Sequence, residues 1–167
     1  MTNSNHSTHK ATRGLLLIVI ALAVVGLDQL TKYLVRTNME LGQSIPREGL
    51  FKIYYITNTG GAFGILANQA FLLAIVAVIG IAVFLVYLRY LPLQSTLLKV
   101  GLGLDFGGAV GNLIDRLRFE GKVTDFIDIG AWPVFNVADM SIVVGTVIIA
   151  CYLLFVTPKK ASKSAQR

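Results

Sequence analysis

The feature that most constrains this chain is a set of long apolar runs. Residues 14–35, 70–88, 97–114 and 138–156 are dominated by Leu, Ile, Val, Ala, Gly and Phe. A helix of about 20 apolar residues crosses ~30 Å of hydrocarbon. Each run therefore has the length of a membrane span. Of the 167 residues 54% are hydrophobic, and the mean hydropathy is +0.68. That is more apolar than a soluble domain. The expected fold is mainly α and integral to a membrane. It has four transmembrane helices, a small extracytoplasmic β-sheet and a second periplasmic loop.

The first run has a competing reading. Lys10 and Arg13 precede it, and Ala21-Leu22-Ala23 resembles a signal-peptide cleavage site. The helical pattern nevertheless continues through Leu30, Tyr33, Leu34 and Val35, which favours a retained span. Residues 1–13 are polar and are expected to form a mobile cytoplasmic tail. Residues 158–167 form a basic cytoplasmic tail, which leaves residues 14–157 as a single membrane domain.

Charge placement gives the orientation. The net charge is +6, yet all nine acidic residues lie between Asp28 and Asp139. With four spans, Lys10, Arg13, Arg89, Lys99 and the tail lysines fall on one side. Basic residues favour the cytoplasmic side, so both termini are expected there and the acid-rich loops outside. This placement accounts for the basic ends without nucleic-acid binding. The lone cysteine, Cys151, excludes an internal disulfide and is expected to pack in an apolar run. His6 and His9, the only histidines, lie in the tail, so a Ser-His or Cys-His catalytic pair in the body is excluded.

The first loop, 37–69, contains β-branched and aromatic residues at 51–57, which favour a strand, then a small-residue turn at 58–64. The second loop, 116–137, holds Trp132 and Pro133. Between Gly107 and Asp139 lie Asp115, Arg116, Asp125, Asp128 and Asp139. Ionisable groups beside membrane spans mark candidate sites. Asp125 and Asp139 are 14 positions apart, within reach of one short loop. Two adjacent carboxyls resist ionising together, so one keeps its proton while the other acts as a base. Such a pair activates water with no metal or cofactor.

Plainer readings compete at each position. Asn136 and Asp139 fit a helix N-cap followed by an acid three residues later. Asp115-Arg116 fits an interfacial pair, and Asp128 a solvated loop acid. Asp28 and Lys32 share a helix face, either as an ion pair ending a span or as a support for the site. Asn58 and Asn112 fit turn and helix-packing roles. Asp105 fits a polar group buried between helices and has no assigned chemistry.

Five motifs carry a resemblance. They are Asp28-Gln-Leu-Thr-Lys32, Asn58-Thr-Gly-Gly-Ala-Phe63, Gly107-Gly-Ala-Val-Gly-Asn-Leu-Ile-Asp-Arg116, Val123-Thr-Asp-Phe-Ile127 and Phe135-Asn-Val-Ala-Asp139. In this order and spacing the chain closely resembles the lipoprotein signal peptidase family, also called signal peptidase II. The resemblance implies a multi-pass aspartyl endopeptidase of the bacterial inner membrane, with its site near the periplasmic face. It implies cleavage of prolipoproteins on the amino side of a diacylglyceryl-modified cysteine. By motif, Asp125 and Asp139 are the catalytic pair. Asn58, Gly60, Asn112, Arg116 and Asn136 hold substrate, and Asp28, Lys32 and Asp115 support the site. No metal, cofactor or nucleic acid is expected. The expected partners are lipid-modified prolipoproteins, membrane phospholipids and the inhibitor globomycin, and the expected state is a monomer.

Two other classes fit the runs. A proton-coupled transporter would place acids such as Asp28 and Asp105 at mid-membrane depth on facing helices, whereas most acids here gather at span ends and loops. A structural membrane subunit would not need five polar motifs at one face.

Overall fold

Buried positions on the first helix recur at intervals of three and four residues: Leu17, Ala21, Val24, Asp28, Lys32 and Val35. That is one stripe of an α-helix. Leu15, Ile18, Val19, Leu22, Leu27 and Leu30 project outward from the same helix and are exposed. An apolar surface of that extent fits lipid as the surrounding solvent.

The computed structural model describes residues 5–59, 70–88, 90 and 95–156. Helix α1 spans Asn5–Asn38, α2 Ala70–Leu88, α3 Thr96–Arg118 and α4 Val137–Cys151, the last running into a π-helical turn at Tyr152–Val156. Strands β1 (Ser44–Ile45), β2 (Lys52–Asn58) and β3 (Val123–Asp128) form an antiparallel sheet in that order. Among the described residues, three helical stretches are long and apolar enough to cross a membrane: Gly14–Asn38, Thr96–Arg118 and Val137–Phe155. A shorter apolar stretch, Leu72–Val86, lies in α2. The expected count was four.

Helix α3 is the centre of the bundle, with α1 and α4 packed along it. Glycines make this approach possible. A Cβ on Gly108 would meet the Ala138 carbonyl oxygen, and one on Gly111 would come within 2.6 Å of Asp28 Oδ2. Small residues let backbones approach in this way.

Several boundaries differ from expectation. Helix α1 begins at Asn5, because no Gly or Pro interrupts it before Gly14. Helix α3 runs past Ile114 to Arg118, since polar side chains at a membrane boundary do not stop backbone hydrogen bonding. The second loop contributes a strand, β3, which pairs with β2 through Ile56–Asp125, Thr57–Thr124 and Asn58–Val123. Cys151 is exposed, not packed inward. The turn after Asn58 and the basic tail 158–167 lie outside the described residues.

Candidate active site

Three local features bring the site together. Pairing of β2 with β3 sets Asn58 near Asp125, and Asn58 Nδ2 donates to Asp125 Oδ2 at 3.0 Å. After β3 the chain turns back. Phe135 then exchanges backbone hydrogen bonds with Ile127, the Ile127 N–H donating at 2.8 Å and the Phe135 N–H at 3.1 Å. This return places Asn136 beside Asp125, where its Nδ2 donates to Asp125 Oδ1 at 2.7 Å.

Asn136 is also the N-cap of α4. Its Oδ1 accepts the Asp139 N–H at 2.9 Å, and Asp139 Oδ2 accepts the Asn136 N–H at 3.2 Å. This is a reciprocal capping box. The cap reading of the sequence and the carboxylate-pair reading are therefore compatible. One asparagine caps the helix and holds the first aspartate.

Below the pair lies a buried polar network. Asn112 Nδ2 donates to Asp139 Oδ1 at 2.8 Å, while Asn112 Oδ1 accepts from Lys32 Nζ at 2.9 Å. Lys32 is fully buried, 2.9 Å from Asp28 and 3.5 Å from Asp115. Arg36 adds a second cation 3.5 Å from Asp115. Two cations thus balance two carboxylates, which is how a low-dielectric interior tolerates charge. Asp28 Oδ1 accepts the Ala138 N–H at 3.0 Å and so ties α1 to the start of α4. Asp115 Oδ2 accepts the Thr124 N–H at 2.9 Å and so ties α3 to β3. Asp28 and Lys32 are a pair, as their spacing suggested, but they lie inside the bundle. Asp115 faces Lys32 and Arg36, which leaves its sequence neighbour Arg116 directed elsewhere.

The structure gathers Asn58, Asn112, Arg116, Asp125 and Asp139 around one cavity of about 270 Å³. Trp132, Pro133, Val134 and Phe135 form part of its wall. Arg116 Nε is buried there without a hydrogen-bond partner among the described residues. Gly60 lies outside the described residues. Asn136 lies behind the carboxylates, with its amide engaged by Asn112 and Asp125. An adjoining cavity of about 280 Å³, lined by Ile129, Trp132, Phe135, Met140, Val143 and Val144, shares Asp139. It is almost wholly apolar.

Burial, with the charge of Asp139 nearby, pushes the Asp125 carboxyl up to about 7. Hydrogen bonds from Asn58 and Asn136 oppose that rise only in part. Asp139 sits in the first turn of α4. No three His, Cys, Asp or Glu side chains converge as metal ligands among the described residues.

Asp128 stands apart. It accepts from the Gly130 N–H at 2.8 Å and pairs with Lys52 at 3.0 Å, and both contacts hold its pKa below the usual range. Asp105 also lies away from the site and accepts from the Thr146 hydroxyl on α4. Sequence reasoning missed Gln29, whose Nε2 reaches Asp28, the Gly111 carbonyl and Asp115, each at 3.1 Å. A polar residue inside an apolar helix, next to a charged one, was the available signal. It also missed Thr124, whose carbonyl accepts from Asn136 and whose hydroxyl accepts from Arg36.

The chain is similar to known proteins over most of its length. The family model for signal peptidase (SPase) II matches residues 20–155. The lipoprotein signal peptidase of Moorella thermoacetica is 48% identical over 138 residues, covering 82% of this chain and 91% of that protein. The one from Geobacillus thermodenitrificans is 42% identical over 159 residues, covering 90% and 98%. A solved bacterial membrane enzyme superposes with a TM-score of 0.73 at 36% identity, covering 86% of this chain and 90% of that one.

Proposed function

The chain belongs to the signal peptidase II family, a protease that removes signal peptides from prolipoproteins, and from that premise we propose that Asp125 and Asp139 are its catalytic pair. The observation that carries the assignment is their shared cavity, in which one carboxyl is pushed up to about 7 and the other completes the capping box of α4.

In the resting site Asp125 holds the proton and Asp139 is ionised. A water between them gives a proton to Asp139 as its oxygen attacks the scissile carbonyl carbon. Asp125 donates its proton to the carbonyl oxygen. Collapse of the tetrahedral intermediate breaks the C–N bond. The carbonyl oxygen returns its proton to Asp125, and Asp139 delivers its own to the leaving amine. Each turnover leaves the pair with the single proton it began with. General acid–base chemistry of this kind needs one protonated and one ionised carboxyl within reach of the same water.

The other residues have separable parts. Asn112 and Asn136 orient the carboxylates. Arg116 offers a cation and an unused N–H to a substrate carbonyl or to the ester oxygens of the lipid. Asn58 and Gly60 complete the substrate side, and Asp28, Lys32 and Asp115 hold the helices in place. The apolar cavity beside Asp139 suits the lipid-bearing residue, so that cleavage falls on the amino side of a diacylglyceryl-modified cysteine.

In the membrane, α2 is a fourth span. The protein works as a monomer in the bacterial inner membrane. Both termini are cytoplasmic, and the site opens at the periplasmic face among phospholipids. Globomycin blocks that opening. The test is cleavage of a lipid-modified precursor by purified protein in detergent. Asp125→Asn and Asp139→Asn should each abolish turnover while leaving thermal unfolding near that of the unsubstituted protein. Near-normal turnover by either variant overturns the assignment.

A further inference from the structure

Side chains alternate across a strand, and here the alternation separates two cavities. Val123 and Asp125 on β3, with Asn58 on β2, line the cavity of the aspartates. Lys122 and Thr124 at β3, with Tyr55 and Thr57 on β2, line a different cavity of about 310 Å³. Arg36, Arg118, Phe119 and Glu120 complete it, and the two cavities share no lining residue.

Three of the second cavity's lining residues are basic: Arg36, Arg118 and Lys122. Arg36 and Arg118 both lie against the Phe119 ring, their guanidinium carbons 4.5 Å and 5.8 Å from its centroid. Lys122 is 3.8 Å from Glu120, whose side chain is 89% exposed. Such an open pair is weak. With Arg36 balanced by Asp115, the cavity lining still holds Arg118 and Lys122 against one acid, Glu120, among the described residues. One positive charge is left over, and no reaction assigned to the aspartates uses it.

Depth narrows the ligand. Arg36 and Arg118 occupy the last turns of α1 and α3, the ends of two helices long enough to span a bilayer. The cavity therefore opens at headgroup level. We propose that it binds the singly charged phosphodiester of an anionic phospholipid. Arg118 and Lys122 hold the phosphate oxygens, and Tyr55 and Phe119 lie against the glycerol end of the headgroup. A guanidinium presents paired donors to phosphate oxygens, which suits Arg118 to this contact. The inference rests on the membrane placement of α1 and α3, independently of which residues cut the peptide bond.

The full chain is purified and reconstituted with equal amounts of phosphatidylglycerol and phosphatidylcholine, and retained lipid is measured by native mass spectrometry. The unsubstituted protein should retain phosphatidylglycerol preferentially. Arg118→Gln combined with Lys122→Gln should cut that preference roughly tenfold, because basic groups near an anionic lipid surface each add attraction. Glu120→Gln, which removes the competing carboxylate, should raise it. Excess inorganic phosphate should not displace the lipid. Cleavage of a lipid-modified precursor should persist in all three proteins, showing that they are folded. Equal retention of the two lipids by the unsubstituted protein overturns the proposal. So does an unchanged ratio in the double variant, a fall in Glu120→Gln, or displacement by free phosphate.

Discussion

The Nδ2 of Asn136 donates to Asp125 Oδ1 at 2.7 Å, while the Oδ1 of the same side chain caps α4. Serine also caps helices well but is too short to replace the amide donor. Asn136→Ser should therefore keep most of the stability and lower kcat about a hundredfold, the scale seen when one preorganised donor is lost. Asn136→Ala should lower kcat similarly and cost about 1 kcal/mol more in stability. Turnover kinetics and thermal unfolding of both variants separate the two roles. Equal activity in Asn136→Ser and the unsubstituted protein would remove Asn136 from the site.

The pH dependence follows from Asp125. Its folded value, about 7, lies above the 3.8 of an unperturbed aspartate. Its contribution to stability is thus fully present below the unfolded value and is lost as pH rises through the folded one. With Asp125 as the proposed proton donor, activity should fall over the same range, as that carboxyl ionises. Unfolding in detergent should show lower stability above neutrality than in mild acid, and Asp125→Asn should flatten that trend. A profile with no alkaline decline in activity contradicts this assignment.

Lys32→Met should be severely destabilising. Lys32 is fully buried against Asp28 and Asp115, and removing it strands charge in the bundle. Breaking a buried pair from one side costs about 3–5 kcal/mol. Adding Asp28→Asn should restore part of that loss, since contacting residues do not act additively. Unfolding of the single and double variants provides the measurement.

Gly108→Ala places a methyl against the Ala138 carbonyl and presses α3 away from the start of α4. Overpacking of this kind costs about 1–3 kcal/mol. Asp139 is the next residue along α4, so activity should drop as well. Gly26→Ala is the control: nothing lies within 4 Å of its added Cβ, and alanine favours a helix. It should be neutral or slightly stabilising.

Spans and motifs were legible in the sequence because lipid demands long apolar runs, and because the four-residue spacing of Asp28 and Lys32 is enough to pair them. The strand at Val123–Asp128 was less legible, since two acids interrupt its apolar pattern and its partner β2 lies far away in the chain. The position of Asn136 depends on Phe135 returning to Ile127, a non-local contact that no local pattern encodes. Ala70–Leu88 reads as a full span, yet the apolar stretch found within it is the shorter Leu72–Val86. Arg36 and Thr124 escaped notice for a similar reason. Each looks ordinary alone and acquires its role only where α1 meets β3.

The most direct measurement is isotope-edited infrared titration of the aspartate carboxyls, with Asp125→Asn identifying its band by difference. A carboxyl belonging to Asp125 should stay protonated into the neutral range, with its midpoint near about 7. Asp139→Asn should lower that midpoint, because the neighbouring charge is gone. An Asp125 carboxyl that ionises at the ordinary aspartate value, unaffected by Asp139→Asn, would show that the two groups do not share a proton.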